Sequence, residues 1–205
     1  MKRKGPWYAA LKEPRQLQQE RAKALEEYAA AVKASPQLLD VWLEMGDLER
    51  AELHFEKAAE NYQQALEIQS SNYDALYGLG ACYQQQDPEK AIEFFTRAIQ
   101  VAPKQAEGYV ALGDVLLKTN KPEWALKQLQ VAVQLDPGLR QAYILLGRAQ
   151  QALGQDTLAE QSFQKAREIV QTELETRRGR LRKSLQIRAS QIEESVPPAK
   201  GESRR

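Results

Sequence analysis

The residue types that most often carry out catalysis or bind metals are scarce in this chain. Among its 205 residues there is one histidine, His54, and one cysteine, Cys82. Nucleophilic catalysis pairs a nucleophile with a nearby base, and zinc sites need several Cys or His ligands. A single cysteine also excludes an internal disulfide and a Cys-x-x-Cys motif. We expect His54 to be an exposed polar residue in a turn and Cys82 to be a small buried core residue.

The glycines and carboxylates do not form a catalytic pattern either. Gly78 and Gly80 make a Gly-x-Gly sequence, but it lies within a predicted helix instead of following a strand, as a phosphate-binding loop would. The many carboxylates fall on helix faces that we expect to be solvated. We therefore predict that the protein is not an enzyme and needs no cofactor or metal ion.

Composition and charge indicate an elongated body with basic ends. The chain is 42% hydrophobic, its mean hydropathy is −0.62 and its net charge is +1. Residues 1–23 and 165–205 are both rich in Lys and Arg, so the segment between them is acidic. No stretch approaches the roughly 18 apolar residues of a membrane span, and Lys12 and Pro14 come too early for a signal peptide. We expect a cytoplasmic protein, and the glutamine-rich composition favours a bacterial source.

A repeat of about 34 residues organises most of the chain. Glycines that follow a large apolar residue recur at spacings of 34, 33 and 34 residues. A large side chain precedes each glycine, and an alanine, a ring or leucine, and a second alanine follow it at fixed distances. In the first repeat these residues are Trp42, Gly46, Ala58, Tyr62 and Ala65, and in the second they are Leu76, Gly80, Ala91, Phe95 and Ala98. In the third they are Tyr109, Gly113, Ala125, Leu129 and Ala132, and in the fourth Tyr143, Gly147, Ala159, Phe163 and Ala166.

This pattern is similar to the tetratricopeptide repeat, in which conserved small and large positions recur every 34 residues. The resemblance implies an all-α, right-handed superhelical solenoid of antiparallel helix hairpins. Asp87 and Pro88 supply a capping side chain and a first-turn proline where a second helix should begin. We expect Gly113 to let its helix approach the partner helix of its own hairpin, near Ala125. The solenoid covers residues 39–173, in units 39–72, 73–105, 106–139 and 140–173.

The two ends depart from the repeat. We predict a flexible basic arm over residues 1–14 and a degenerate repeat over 15–38, whose helix caps the N-terminal end of the solenoid. The helical pattern does not stop after the fourth unit. We therefore predict a long, basic and amphipathic C-terminal helix over 174–194, followed by a disordered tail over 195–205.

In tetratricopeptide proteins, a stripe of each first helix lines a concave groove in which extended peptides or helices bind. Carried onto this sequence, the stripe has an apolar floor, which includes Leu145, and acidic residues in its first three units. Acidic side chains in the first turns also favour helix formation, so solvation of an exposed face remains an alternative for them. The predicted groove residues are Asp40, Leu43, Glu44, Asp47, Asp74, Tyr77, Glu107, Val110, Asp114, Gln141, Ile144 and Arg148.

The resemblance implies a non-enzymatic protein–protein interaction scaffold, adaptor or assembly factor. Family members that bind chaperone tails hold the C-terminal carboxylate with a clamp of Lys, Arg and Asn. The corresponding positions here include Leu43, Asp47 and Glu107, so we do not expect this chain to bind such tails. Charge complementarity favours a basic or amphipathic peptide or helix as the partner.

The basic C-terminal helix is a second candidate surface. Its leucines at 174, 181 and 185 are spaced to form one apolar seam with Ile192. Three roles remain open for it: a solvated cap, a partner-binding or self-associating helix, or a surface for nucleic acid or an anionic membrane. The alternative function is therefore a peripheral protein that docks RNA or an anionic membrane through this helix. Its basic residues are Arg177, Arg178, Arg180, Arg182 and Lys183.

The basic ends could also fold onto the acidic groove of the same chain. Residues 164–205 contain no aromatic side chain, which weakens the option of stacking on nucleic-acid bases.

Overall fold

The fold is a series of α-helices joined by short turns. In the computed structural model the described residues are 12–195, with side-chain surroundings for residues 19–187. No helix in this part of the chain is long and apolar enough to cross a membrane. The helices of the described residues are α1 (Lys12–Ala34), α2 (Leu39–Ala51), α3 (Phe55–Ile68), α4 (Tyr73–Tyr83), α5 (Pro88–Val101), α6 (Ala106–Lys118), α7 (Pro122–Leu135), α8 (Arg140–Ala152) and α9 (Asp156–Ser195).

Helices α2 to α9 form four consecutive hairpins. The two helices of each hairpin pack most extensively on each other, and the second helix of each hairpin packs on the first helix of the next. Helix α1 packs more lightly on α2. This arrangement confirms the predicted all-α solenoid of helix hairpins with a long C-terminal helix.

Side chains at the helix starts explain where several helices begin. The Asn72 side chain accepts a hydrogen bond from the Ala75 amide at 2.9 Å, and the Asp87 side chain accepts one from the Lys90 amide at 3.1 Å. The backbone hydrogen bond from Lys90 is the main reason why the pKa of Asp87 is lowered. Pro88 follows in the first turn of α5, where its missing N–H costs no hydrogen bond.

The helices of each hairpin approach most closely at the repeated glycines. A Cβ added at Gly113 would lie 2.6 Å from Cγ of Leu129, which is too close for a packed core. The expected close approach within a hairpin is confirmed, although the side chain nearest to Gly113 is Leu129, one turn beyond Ala125. The other pairs of this kind are Gly46 with Tyr62, Gly80 with Phe95, and Gly147 with Phe163.

At the N-terminal end the helix begins earlier than we expected. Helix α1 starts at Lys12, so the last residues of the predicted arm, 12–14, are helical. Pro14 does not break the helix because it lies in the first turn, where no intrahelical N–H bond is lost. The rest of the predicted arm, residues 1–11, lies outside the described residues.

At the C-terminal end there is no boundary after residue 173. Helix α9 runs without interruption from Asp156 to Ser195, so the second helix of the fourth unit and the basic helix are one element of 40 residues. A single glycine, Gly179, lowers helix propensity by about 1 kcal/mol and does not end the helix. Ser195, the first residue of the predicted tail, is helical, and residues 196–205 lie outside the described residues.

Three of the four turns inside the hairpins place one residue in the left-handed conformation. These residues are Leu53 (φ 64°), Asn120 (φ 57°) and Gly154 (φ 70°). They occupy the same position of the repeat, just after the first helix, where glycine is the usual helix-ending residue. Leucine is the least suited of the three, because its Cβ crowds the backbone in this conformation.

We expect Leu53→Gly to stabilise the protein by about 1 kcal/mol, because the steric cost of the left-handed conformation is removed. The Leu53 side chain is 71% exposed, so its removal leaves no cavity. Thermal or urea unfolding of the full chain measures the effect. The reverse change at the equivalent position, Gly154→Leu, should destabilise by a similar amount; a lower melting temperature for Leu53→Gly would contradict this account.

Candidate protein-binding groove

The second residue of the first helix of each hairpin is an exposed polar residue. Asp40, Asp74, Glu107 and Gln141 stand at the start of α2, α4, α6 and α8, and all four are exposed. The three acidic side chains interact favourably with the positive end of their helices. None of the three forms an ion pair with another described residue. They are therefore available to a charged partner.

The apolar residues of the predicted groove lie one turn further along each first helix. Leu43, Tyr77, Val110 and Ile144 are all half-buried. Leu43 packs against the N-terminal core cluster, while Tyr77 and Val110 pack against the central one. The first three therefore present only part of their surface outward, because the core clusters cover the rest.

Leu145, which we expected in the groove floor, is a core residue. It is 1% exposed and belongs to the central core cluster. Its place in the repeat is that of Gly78 and Ala111, which face the preceding hairpin. The larger side chain is accommodated because the preceding hairpin has Leu129 where the earlier ones have the rings of Tyr62 and Phe95.

Asp47 is held by side chains of its own hairpin. Its Oδ1 accepts hydrogen bonds from the Tyr62 hydroxyl at 2.8 Å and from Nη2 of Arg50 at 3.0 Å. Nε of Arg50 also donates to the Tyr62 hydroxyl at 3.1 Å. The pKa of Tyr62 is raised, mainly because its ring is buried. The sequence contained one signal for this network: Tyr62 carries a hydroxyl where the other units have Phe95, Leu129 and Phe163.

Asp114 connects two hairpins. Its Oδ2 accepts a hydrogen bond from Nε2 of Gln84 at 2.6 Å and lies 2.7 Å from Nζ of Lys118. Gln84 follows α4, so this contact bridges the second and third units. The carboxylates of Asp47 and Asp114 thus have structural partners, and a basic side chain beside each of them balances part of the negative charge.

Helix α1 closes the N-terminal end of this surface around a cavity of about 490 Å³. The pKa of Tyr28 is raised, first by its hydrogen bond to Glu44, and Arg21 forms an ion pair with Glu52. We had not predicted that α1 contributes to the candidate site. The cavity is lined by Glu20, Arg21, Ala24, Tyr28, Glu44, Asp47, Leu48 and Ala51.

Near the other end, the charge of the first helices changes sign. Arg148 in α8 occupies the position of Asp47 and Asp114 and is exposed. Beyond the solenoid, the five basic residues from Arg177 to Lys183 are also exposed on α9. Among the described residues, none of these five has a carboxylate partner.

The single histidine and the single cysteine have structural surroundings. His54 lies in the turn between α2 and α3, and its Nδ1 is 2.7 Å from Oε2 of Glu49. Glu49 is buried. Cys82 is 3% exposed in the N-terminal core cluster. Its burial raises the pKa of the thiol from 9.0 to about 11. Neither side chain faces the other.

Family models of the tetratricopeptide repeat match this chain over residues 38–104 and 110–173. The chain belongs to the tetratricopeptide repeat family. The two matches together span the four predicted units, and they leave α1 and the second half of α9 unmatched.

Known relatives resemble this tetratricopeptide protein over part of its length. Hsc70-interacting protein 1 of Drosophila melanogaster is 31% identical over 107 residues, which are 52% of this chain and 26% of that protein. Tetratricopeptide repeat protein 33 of Xenopus laevis is 36% identical over 76 residues, 37% of this chain and 30% of that protein. The chain therefore matches about a quarter to a third of the length of these relatives.

Solved structures show the same fold. A crystal structure of MamA has a TM-score of 0.71 at 23% identity and covers 79% of this chain and 95% of its own. The structure of YrrB, described as a TPR protein with an unusual peptide-binding site, has a TM-score of 0.62 at 21% identity and covers 75% of this chain and 80% of its own. At such low identity the likeness concerns the fold.

We expect Cys82 to react with a thiol reagent such as DTNB about 100-fold more slowly in the folded chain than in the unfolded chain near pH 8. A pKa near 11 lowers the thiolate fraction by about that factor, and burial slows access further. Because the pKa is higher in the folded state, the stability that the buried neutral thiol contributes should be lost as the pH rises from 9.0 to about 11. Rapid labelling of the native chain would contradict the assignment of Cys82 to the core.

Proposed function

We propose that this chain is a non-enzymatic scaffold, adaptor or assembly factor that binds a basic or amphipathic segment of another protein. The segment would lie along the concave face formed by the first helices α2, α4, α6 and α8. The proposal rests on a row of exposed acidic residues that form no ion pair with another described residue: Asp40, Asp74 and Glu107, one on each of three successive units.

The charge of this row supports a basic partner. Lys or Arg side chains placed against it would find carboxylates that are not already engaged in ion pairs, whereas Asp47 and Asp114 are partly neutralised by Arg50 and Lys118. Rim charges of this kind mainly affect the association rate and the choice of partner. Arg148 at the fourth unit favours a polar or acidic residue at that end of the segment.

The N-terminal cavity supports an amphipathic partner. Its walls are largely apolar, with Ala24, Leu48 and Ala51 beside the aromatic ring of Tyr28, and its rim carries Glu44. A large apolar side chain of the bound segment could enter here while its neighbouring basic residues meet the carboxylates.

Chaperone tails are poor candidates for this surface. Hsc70-interacting protein 1, by its name, interacts with Hsc70, and 52% of this chain resembles 26% of that protein. Here, however, the positions of the carboxylate clamp include Leu43, Asp47 and Glu107. These residues supply no cationic group for an acidic tail.

A scaffold role also agrees with the surroundings of the reactive residues. The Cys82 thiol is buried with a raised pKa, and His54 is engaged by Glu49. One relative is the enzyme UDP-N-acetylglucosamine–peptide N-acetylglucosaminyltransferase of Giardia intestinalis, but the match covers only 6% of that enzyme. A solenoid that is already folded loses little entropy on binding, so most of the ordering cost falls on the partner segment.

We expect the triple variant Asp40→Lys, Asp74→Lys, Glu107→Lys to bind a basic amphipathic peptide at least tenfold more weakly than the native chain, which corresponds to about 1.4 kcal/mol. The probe is a fluorescein-labelled helical peptide of leucine and lysine, and a twin of leucine and glutamate tests charge preference. Fluorescence anisotropy in low salt measures both affinities for the full chain.

A matched control reverses the first-turn acids of the second helices instead: Glu56→Lys, Glu89→Lys, Glu123→Lys. This control loses the same kind of helix-dipole interaction, and with it the Lys121–Glu89 ion pair and the hydrogen bond from Gln86 to Glu56, but it leaves the acidic residues Asp40, Asp74 and Glu107 unchanged. If circular dichroism shows that it is folded, its affinity should stay within twofold of the native chain. Equal losses in the two triple variants, or equal binding of the two peptides, would reject the proposal.

A further inference from the structure

The solenoid contains a slot that is filled at every internal junction. Each hairpin leaves an apolar slot between its two helices, and the first helix of the next hairpin packs there. In the third unit the slot is formed by α6 and α7, and α8 fills it. The filling residues Ala142, Leu145 and Ala149 are consequently almost fully buried.

At the last hairpin the same slot is open. Helix α9 continues straight for 40 residues, so no further helix of the described chain packs between α8 and α9. A cavity of about 370 Å³ remains there. Its walls occupy the repeat positions that form the filled slots, and they are Arg140, Ile144, Phe163, Ala166, Arg167 and Val170.

The open slot continues into an apolar seam along α9. Phe163, Val170, Leu174, Leu181 and Leu185 follow one another at spacings of 7, 4, 7 and 4 residues, which places them on one face of the helix. Leu174, Leu181 and Leu185 are 44%, 61% and 56% exposed. The seam is roughly 33 Å long, from the rise of about 1.5 Å per residue. A helix that only capped the solenoid would not need leucines so far beyond it.

Basic residues border this slot and seam. The residues equivalent to Arg140 and Arg167 in the first three units are hydrophobic. In the third unit, for example, they are Ala106 and Val133. Arg167 already forms an ion pair with Glu160. Further along, Arg177, Arg178 and Arg182 flank Leu181 and Leu185, and no acidic residue lies between 176 and 187, whereas Glu173 and Glu175 lie beside Leu174.

We infer that the open slot and the leucine seam of α9 together bind an acidic amphipathic helix of another protein. The helix takes the place of the first helix of a fifth unit. Its apolar stripe packs on Ile144, Phe163, Val170 and the leucines, and its flanking carboxylates meet the arginines. This site is on the C-terminal end of the solenoid; it shares Ile144 with the predicted groove and uses none of the acidic residues Asp40, Asp74 and Glu107.

Other occupants fit less well. A second copy of α9 would bring arginines against arginines. A flat anionic membrane could meet the seam but could not enter the slot between α8 and α9. Nucleic acid would find a single aromatic side chain in this site, Phe163, and none in residues 164–205, for base stacking.

The test uses the full chain and a synthetic 22-residue helical peptide whose leucines repeat at spacings of 7 and 4 residues, flanked by glutamates. A twin peptide has lysines in place of the glutamates. We expect the glutamate peptide to bind at least tenfold more tightly than its twin in fluorescence anisotropy. Leu181→Asp, at an exposed site, should weaken this binding at least tenfold, and so should the double variant Arg140→Glu, Arg178→Glu.

The matched control is Leu158→Asp, because Leu158 lies on another face of α9 and is 46% exposed. This variant, and the triple variant of the concave face, should leave the affinity for the glutamate peptide unchanged. The inference is overturned if the glutamate peptide does not bind, if the twin binds equally well, or if Leu158→Asp weakens binding as much as Leu181→Asp. It is also overturned if Leu181→Asp leaves peptide binding unchanged but weakens binding to phosphatidylglycerol vesicles, binding to poly(U) RNA, or self-association of the chain.

Discussion

The close contact between a glycine and a large side chain fixes the geometry of every hairpin. A Cβ added at Gly46, Gly80, Gly113 or Gly147 would lie between 2.5 and 2.6 Å from the side chain opposite. Because no larger residue fits, the two helices meet at a fixed point and in a fixed rotation. That rotation decides which residues of the first helix enter the core and which face outward, so the exposed acidic row is a consequence of the packing at the glycines.

In the first hairpin this contact is also linked to the surface chemistry. The Tyr62 ring lies against Gly46 and, from the next unit, against Gly78, where an added Cβ would be 2.4 Å from its Cζ. Its hydroxyl reaches Asp47 and Arg50. One side chain thus joins two units and holds a carboxylate of the predicted groove, and this explains why Asp47 acts as a structural residue as well as a surface charge.

The spacing of the glycines and alanines was sufficient to predict the hairpins, because each unit repeats the same local packing. The surroundings of Asp47 and Asp114 could not be predicted in this way, since Tyr62 comes from the other helix of the hairpin, Gln84 comes from a turn of the preceding unit, and both positions differ between units. The prediction that Leu145 lies in the groove used only its position in the repeat. It did not take into account the size of the side chain that the residue meets in the preceding hairpin. The open slot beside Ile144 depends on the fact that α9 continues straight, and a helical pattern alone does not tell where a helix packs.

Hydrogen–deuterium exchange of the full chain with and without a saturating basic amphipathic peptide tests most directly whether the concave face binds protein segments. The account predicts slower amide exchange in α2, α4 and α6, whose first turns carry Asp40, Asp74 and Glu107, with little change in α3, α5 and α7. Protection confined to these second helices or to α9 would contradict it.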